Sequence, residues 1–441
     1  MHIVVEIIGY VSFILRALII CIVDLYIMYF RVGLVWRRRR SRPTSMERRD
    51  LVMQLAPQSP THSRLSSSDM ILVLNESFLD RALWKGLCAS GAQPSAVVTG
   101  VSYGGIGFYT ALNLILCGFN VHGVTRSQKS VNQAERMMQI AVERQSRLHK
   151  EWMGKTGRLI PHQCDMSDTA AVSNLCTILS RDPDLRVVVG TAGTAAAPPR
   201  LSPQRLEQHV ATHHVGHSLL MLRLLQYRLQ QRNIPSSLWP HWRFVVVVSP
   251  HAGTSNLKVE SIFDSHDDEE VFRSTFDRYS GYSHAEMCKL LFAFSLSRFL
   301  ERENRLASLC TVNVVDPGPA RSHVIANSQL PLSSILDSNI AAIFRLSPVI
   351  SALYVTDLCL SKRVDDVNGH YFRMGEDQTA VFAALQKDME ARAGIWVNSP
   401  LFRGTPGPVV SLSTRMQDAV WRFTLSYFTS HALLEAKAFY R

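Results

Sequence analysis

Between residues 96 and 124 the chain reads as a short apolar run, a glycine-rich turn, a helical segment and a second apolar run. The turn, Thr99-Gly100-Val101-Ser102-Tyr103-Gly104-Gly105-Ile106-Gly107, passes straight into a helical pattern over 108–117 that Gly118 closes; the second run covers 120–124. Glycines placed there let backbone N–H groups approach a diphosphate at a helix N-terminus, where the helix dipole favours negative charge. The pattern then repeats. Strand-like runs at 158–163, 186–189, 244–248 and 309–315 alternate with helix-period stretches at 168–181, 203–232, 282–301 and 343–361. Such alternation predicts a doubly wound α/β fold, a parallel sheet with helices on both faces. Four valines in a row, Val245 to Val248, suit a central strand buried on both sides.

With 441 residues, 46% hydrophobic and 19% charged, the chain can bury a large core, which excludes a wholly disordered or collagen-like molecule. Of the net charge of +11, seven arginines and one glutamate in 37–49 account for +6. Charge gathered in one short flank argues against a nucleic-acid-binding body, and no nucleic-acid partner is expected. The eight cysteines show no metal-ligand spacing and fit buried thiols in a reducing compartment. Residues 1–36 are mostly apolar and run into four arginines at 37–40. Positive charge following the apolar run, rather than preceding it, predicts a non-cleaved membrane anchor with everything after it in the cytosol. Glu6, Arg16 and Asp24 interrupt the stretch, so a monotopic segment stands beside a single span. Residues 37–93 read as a basic Ser/Pro-rich tether and entry helix whose arginines can rest on anionic membrane lipid. Residues 94–375 form the main domain and 376–441 a helical extension. Within that extension, 409–440 is either a membrane-docking or a packing helix.

Taken together, these landmarks resemble the short-chain dehydrogenase/reductase superfamily over residues 94–375, and its membrane-associated, retinol-dehydrogenase-like branch in particular. The turn at 99–107 is similar to that family's glycine signature with one extra glycine. The resemblance implies a Rossmann-type sheet and NADP(H) as cofactor, held by Thr99, Gly100, Ser102, Tyr103, Gly104, Gly105, Ile106 and Gly107. Arg126 stands where NADP(H)-preferring members place a basic residue, and no acid ends that strand; a cation facing the ribose 2′-phosphate is the sensible partner. Asp165 matches the acid that bonds the adenine. Ala192 and Gly193 lie in Gly190-Thr191-Ala192-Gly193, similar to the family's strand-end motif with Thr191 in place of an asparagine. Pro317 and Gly318 match the turn on the nicotinamide side, and Asn368-Gly369-His370-Tyr371-Phe372 resembles a late strand.

The catalytic positions that the resemblance implies are altered. Tyr282 opens Tyr-Ser-His-Ala-Glu-Met-Cys-Lys and matches the general acid/base, but Glu286 occupies the place of the family's lysine. Pro250 falls on the serine position with Ser249 one residue early, and His213 stands where an asparagine completes a proton relay. A glutamate in place of a lysine is expected to raise the Tyr282 pKa rather than lower it. Lys289, two turns from Tyr282, is expected to pair with Glu286 instead of deputising. His213, His214 and His217 lack a third ligand and an activating acid, so no metal is expected, and His213 is expected to hold a relay water. Tyr279 gains no cation as an alternative acid. The acidic stretch 264–270 reads as solvated surface, and the apolar 330–360 as substrate lid or core. The implied function is a membrane-anchored, NADP(H)-dependent oxidoreductase at the endoplasmic reticulum or lipid droplet. Its substrate would be a hydrophobic small molecule, a carbonyl or alcohol of lipid, retinoid or sterol type, with a homo-oligomeric state left open. The alternative is a catalytically inactive NADP(H)-binding protein with a sensing or scaffolding role.

Overall fold

The computed structural model describes residues 93–148, 156–231, 241–255, 259, 264, 266–303, 306, 309–320, 346–379, 414–435 and 439. The expected anchor, the tether and most of the apolar lid lie outside the described residues. Among the described residues no helix is long and apolar enough to cross a membrane.

Eight strands form one sheet in the order β3-β2-β1-β4-β5-β6-β7-β8. In chain order they are β1 (Ser95–Thr99), β2 (Asn120–Thr125), β3 (Leu159–Gln163), β4 (Leu185–Gly190), β5 (Trp242–Val247), β6 (Cys310–Asp316), β7 (Tyr371–Arg373) and β8 (Glu376–Asp377). All neighbours run parallel except β8, which turns back on β7. Every residue of β1, β4 and β6 is buried, as β-branched runs covered by helices on both sides require. After β3 the chain crosses back to the other side of β1, so strand order reverses between β1 and β4. In an open α/β sheet that reversal leaves a crevice beyond the carboxyl ends of the two strands, the usual ligand position.

One face of the sheet carries α1 (Ile106–Leu116), α2 (Gln128–Leu148) and α7 (Pro348–Leu360), which share a core with Val98, Val121, Ile115, Met138, Val355 and Leu358. The other carries α3 (Thr169–Leu179), α4 (His217–Gln230), α6 (Arg278–Arg302) and α8 (Thr414–Ser430), packed around residues such as Val188, Phe244, Leu220, Leu291 and Phe428. Short polar side chains set the helix starts. Asp168 accepts from the Ala170 amide at 3.0 Å, Asp277 from the Tyr279 amide at 3.0 Å, and Ser347 caps α7 just before Pro348.

The stretch expected as a helix over 203–232 begins later, at 208, and runs unbroken with its first part wound differently. Residues Val210–Gly216 wind as a π turn and only then does α4 begin. Helix α2 and the short α5 (Glu269–Thr275) escaped the periodicity, because α2 is mostly polar and buries few residues, Val131, Ala134 and Met138 among them. The acidic stretch is surface as expected, with Asp268 capping α5 and Glu269 pairing with Arg273 at 2.6 Å. Of the two readings for the C-terminal stretch, α8 takes packing. Trp421 stacks on Phe292, with ring centroids 5.6 Å apart, and Ser295 donates to the Gln417 carbonyl at 2.8 Å.

Candidate active site

At the end of β1 the chain turns on Gly100 and Gly104, both with positive φ (+75° and +80°), a conformation that suits glycine. A Cβ on Gly107 would sit 2.6 Å from the Gly100 carbonyl oxygen, so α1 starts against the turn itself. Gly105 is the N-cap of α1; no side chain caps that end and no acid lies in the first turn. The first amides of α1 therefore keep their capacity for an anion. Ser102 and Tyr103 sit exposed on the rim of the turn; the Ser102 carbonyl accepts from the Gly105 amide at 3.1 Å, and the Tyr103 ring meets Phe108 edge-on. Ile106 is half-buried at the start of α1. Arg126 follows β2 directly and is exposed. Asp165 uses one carboxylate oxygen to accept from the Ser167 amide and hydroxyl, at 2.9 and 2.8 Å.

Thr99 corrects its expected place among the cofactor contacts. It is fully buried, and its hydroxyl oxygen accepts from the Thr191 and Ala192 amides, each at 3.0 Å, while its proton faces Nε2 of His217 at 2.9 Å. The residue ties β1 to β4 beneath the crevice. Gly107 likewise packs against Thr191 as well as Gly100. Gly193 leaves room for His213, whose ring carbon would lie 2.6 Å from a Cβ there. Beyond β6, Gly318 turns at φ +79° and donates its amide to Asp316 at 2.9 Å, while the buried Pro317 offers its carbonyl to Ser351.

Tyr282, Ser249, His213 and Glu286 do come together. Ser249 caps the short 3-10 turn Pro250–Thr254, and its hydroxyl lies near enough to the Tyr282 phenol to favour the phenolate despite standing one residue early in sequence. The Glu286 carboxylate is buried and takes three donors: the Ser249 amide at 2.6 Å, the Lys289 ammonium at 2.9 Å and Nδ1 of His213. Burial alone would raise its pKa; Lys289 and His213 outweigh that and bring it down to about 2. Lys289 is thus committed to Glu286, as expected. The Tyr282 phenol is pushed up, first by desolvation and next by the Glu286 charge, with the nearby Ser249 hydroxyl only partly opposing them. Spacing pointed to the second cause; the larger one, burial to 8% exposure, was not visible in it.

His213 does not hold a relay water. The Thr194 amide donates to its Nε2 at 2.9 Å, which leaves the proton on Nδ1, facing Glu286. The same bond denies this acid–histidine pair a nucleophile to activate. His209 is fixed in the same way, with Nδ1 on Glu207 at 2.6 Å and Nε2 accepting from the Ala197 amide at 3.0 Å. The rings of His209, His213 and His251 stand 6.0, 5.7 and 5.7 Å from the Tyr282 ring. Spacing had not brought out His209, from the turn before the π segment, or His251, from the 3-10 turn. Tyr279, expected to gain no cation, is buried with the Arg278 guanidinium 3.3 Å from its hydroxyl. No group of three or more metal-ligating side chains occurs among the described residues.

No family model matches the chain. Human retinol dehydrogenase 14 is 27% identical over 316 residues, covering 70% of this chain and 86% of that protein. The mouse protein of the same name is 26% identical over 253 residues, or 57% and 69% of the two chains. Short-chain dehydrogenase TIC 32 A, chloroplastic, from Brassica napus is 26% identical over 282 residues, 63% of this chain and 79% of that one. Among solved structures, a crystal structure of actinorhodin polyketide ketoreductase with NADPH aligns with a TM-score of 0.43 and 18% identity, over 64% of this chain and 98% of that one. The sequence relatives and the glycine turn between β1 and α1 point the same way: the chain is similar to short-chain dehydrogenases, with retinol dehydrogenase 14 among the proteins it resembles.

Proposed function

We propose that the protein binds NADP(H) and reduces a hydrophobic carbonyl compound at a membrane surface. The observation that carries the reading is the Tyr282–Ser249 pair beyond the carboxyl ends of β5 and β6, with a phenol that burial keeps protonated. The dinucleotide fits the residues present. The amides of 100–107 would hold the diphosphate at the uncapped start of α1, Arg126 the 2′-phosphate, Asp165 the adenine side, and residues 192–193 and 317–318 the nicotinamide side. When bound, NADPH supplies the hydride. The chain's own part is to orient a carbonyl oxygen with Ser249 and to deliver a proton from Tyr282. A phenol with its pKa raised donates a proton but accepts one poorly, so reduction is favoured over alcohol oxidation. The relatives' names support a retinoid-like substrate, and the apolar 1–36 supports membrane anchoring.

The test is NADPH oxidation by full-length protein in detergent micelles with a panel of lipophilic aldehydes and ketones. Turnover that disappears in Tyr282→Phe while NADPH fluorescence enhancement persists supports the reading. A second reading, a dinucleotide-binding protein without turnover, is favoured by Glu286, whose carboxylate stands where the family's lysine would assist Tyr282. Its signature is NADPH binding with no oxidation of any panel member, together with turnover appearing in the Glu286→Lys/Lys289→Leu double variant. The second substitution is needed because Lys289 lies 2.9 Å from the Glu286 carboxylate and would repel a new cation.

A further inference from the structure

The π turn Val210–Gly216 sends neighbouring histidines in two directions. His213 points to the site, where Thr194 and Glu286 hold it. His214 points away from the sheet, towards α6 and α8. Its ring lies 5.7 Å from that of Phe292, and its Nε2 is 2.9 Å from the Thr424 hydroxyl of α8. Thr424 is fully buried and gives its own proton to the Val420 carbonyl at 2.6 Å, so it accepts from His214. A π turn is a short, poorly bonded stretch that persists only where its surroundings fix it, and such turns are frequent at functional sites. The other fixings of this turn come from the sheet domain. His209 is bonded to Glu207 and the Ala197 amide, and Gly216 packs so closely that a Cβ would lie 1.9 Å from the Met166 carbonyl. Thr424 instead belongs to the C-terminal segment, beyond the last strand.

We propose that Thr424 is a positioning residue for the active site. Through His214 the C-terminal helix sets the π turn, and through the turn it sets the His213–Glu286 pair that holds the Ser249 amide beside Tyr282. Nothing in the chain of contacts is long: Thr424 to His214, one peptide to His213, then Glu286, then Ser249. The link to turnover rests on the reductase reading above; the geometry at His213 does not.

The experiment uses full-length protein labelled with 15N-histidine, in detergent micelles and without substrate. The imidazole proton shared by His213 and Glu286, assigned by its loss in His213→Gln, is followed by NMR. In Thr424→Val, which keeps the shape and removes the acceptor, that signal moves upfield or broadens away. In Thr424→Ser it stays as in the unaltered protein. Where the protein reduces a carbonyl, Thr424→Val also lowers kcat several-fold with NADPH affinity unchanged. An unaltered His213 signal in Thr424→Val overturns the proposal, and so does a Thr424→Ser variant as perturbed as the valine, which would assign the effect to packing. If the valine variant is not recovered folded, Thr424→Ala, which also lacks the hydroxyl, replaces it with the same two outcomes.

Discussion

Glu286 shows how one side chain can invert the chemistry of a site. Its charge is balanced by Lys289 and it accepts from His213 and the Ser249 amide, so the group is as much a structural pin as an electrostatic influence on Tyr282. Glu286→Gln leaves Lys289 as a buried cation without its partner, a change that costs about 3–5 kcal/mol. Glu286→Gln/Lys289→Met should recover much of that loss, and urea unfolding of the four members of the cycle measures it. Acid stability follows from the same neighbourhood. Burial holds the imidazoles of His214 and His217 near pKa 3, against 6.5 ordinarily, with Lys289 adding to the effect. Below about pH 6.5 the unfolded chain takes up these two protons and the folded protein does not. Stability therefore falls as pH drops, by about 2.7 kcal/mol per pH unit at the steepest, two groups at 1.36 each. Glu286, held near 2, adds a further loss below its ordinary 4.5. A midpoint of urea unfolding that stays constant from pH 7 to pH 5 would contradict this account. The identities of Tyr282 and Glu286 come from the family resemblance, and the pairing with Lys289 from its i,i+3 spacing. Ser249 is expected to assist Tyr282 from one residue early; the 3-10 turn that absorbs this offset leaves no periodic mark in the sequence.

Among the elements, those with a strong period or a strong punctuation were legible. The glycine turn, the valine-rich strands and the helix bearing Tyr282 were all marked by residues that few other conformations accept. The π turn was not, since an extra residue per turn over seven positions is invisible against a helical pattern on both sides. Helix α2 was missed because most of its positions are polar and only a narrow stripe, with Val131, Ala134 and Met138 in it, is buried. The start of α1 yields a direct prediction: a side chain on Gly107 must push into the Gly100 carbonyl and the Thr191 hydroxyl, each 2.6 Å from a Cβ. Gly107→Val should weaken NADPH binding at least about tenfold, some 1.4 kcal/mol, as read by fluorescence titration, with far-UV circular dichroism preserved.

For the whole molecule, the C-terminal helix is part of the fold's own packing. Helix α6 is buried over most of its surface, facing the sheet on one side and α8 on the other, with Phe292 and Phe299 against Trp421 and Arg298 paired with Asp418 at 2.5 Å. Ending the chain at residue 413 would expose that second face. The truncated protein should unfold at markedly lower urea than the full chain and self-associate, which size-exclusion chromatography would reveal. A soluble, equally stable truncation would mean that α8 is dispensable cover. The doubly wound order was foreseeable from alternation. The role of the extension was not, because an apolar helix that docks on lipid and one that docks on protein have the same composition.

Pro161 sits in the middle of β3, the outermost strand on one side, opposite Gly123. Proline has no amide hydrogen to offer an incoming chain. On the far side the sheet stops at β8, two residues long and folded back on β7. Both borders are therefore poor templates for strand addition. Among the described residues, then, neither border of the sheet invites an incoming strand, and edge-upon-edge stacking through this sheet is disfavoured.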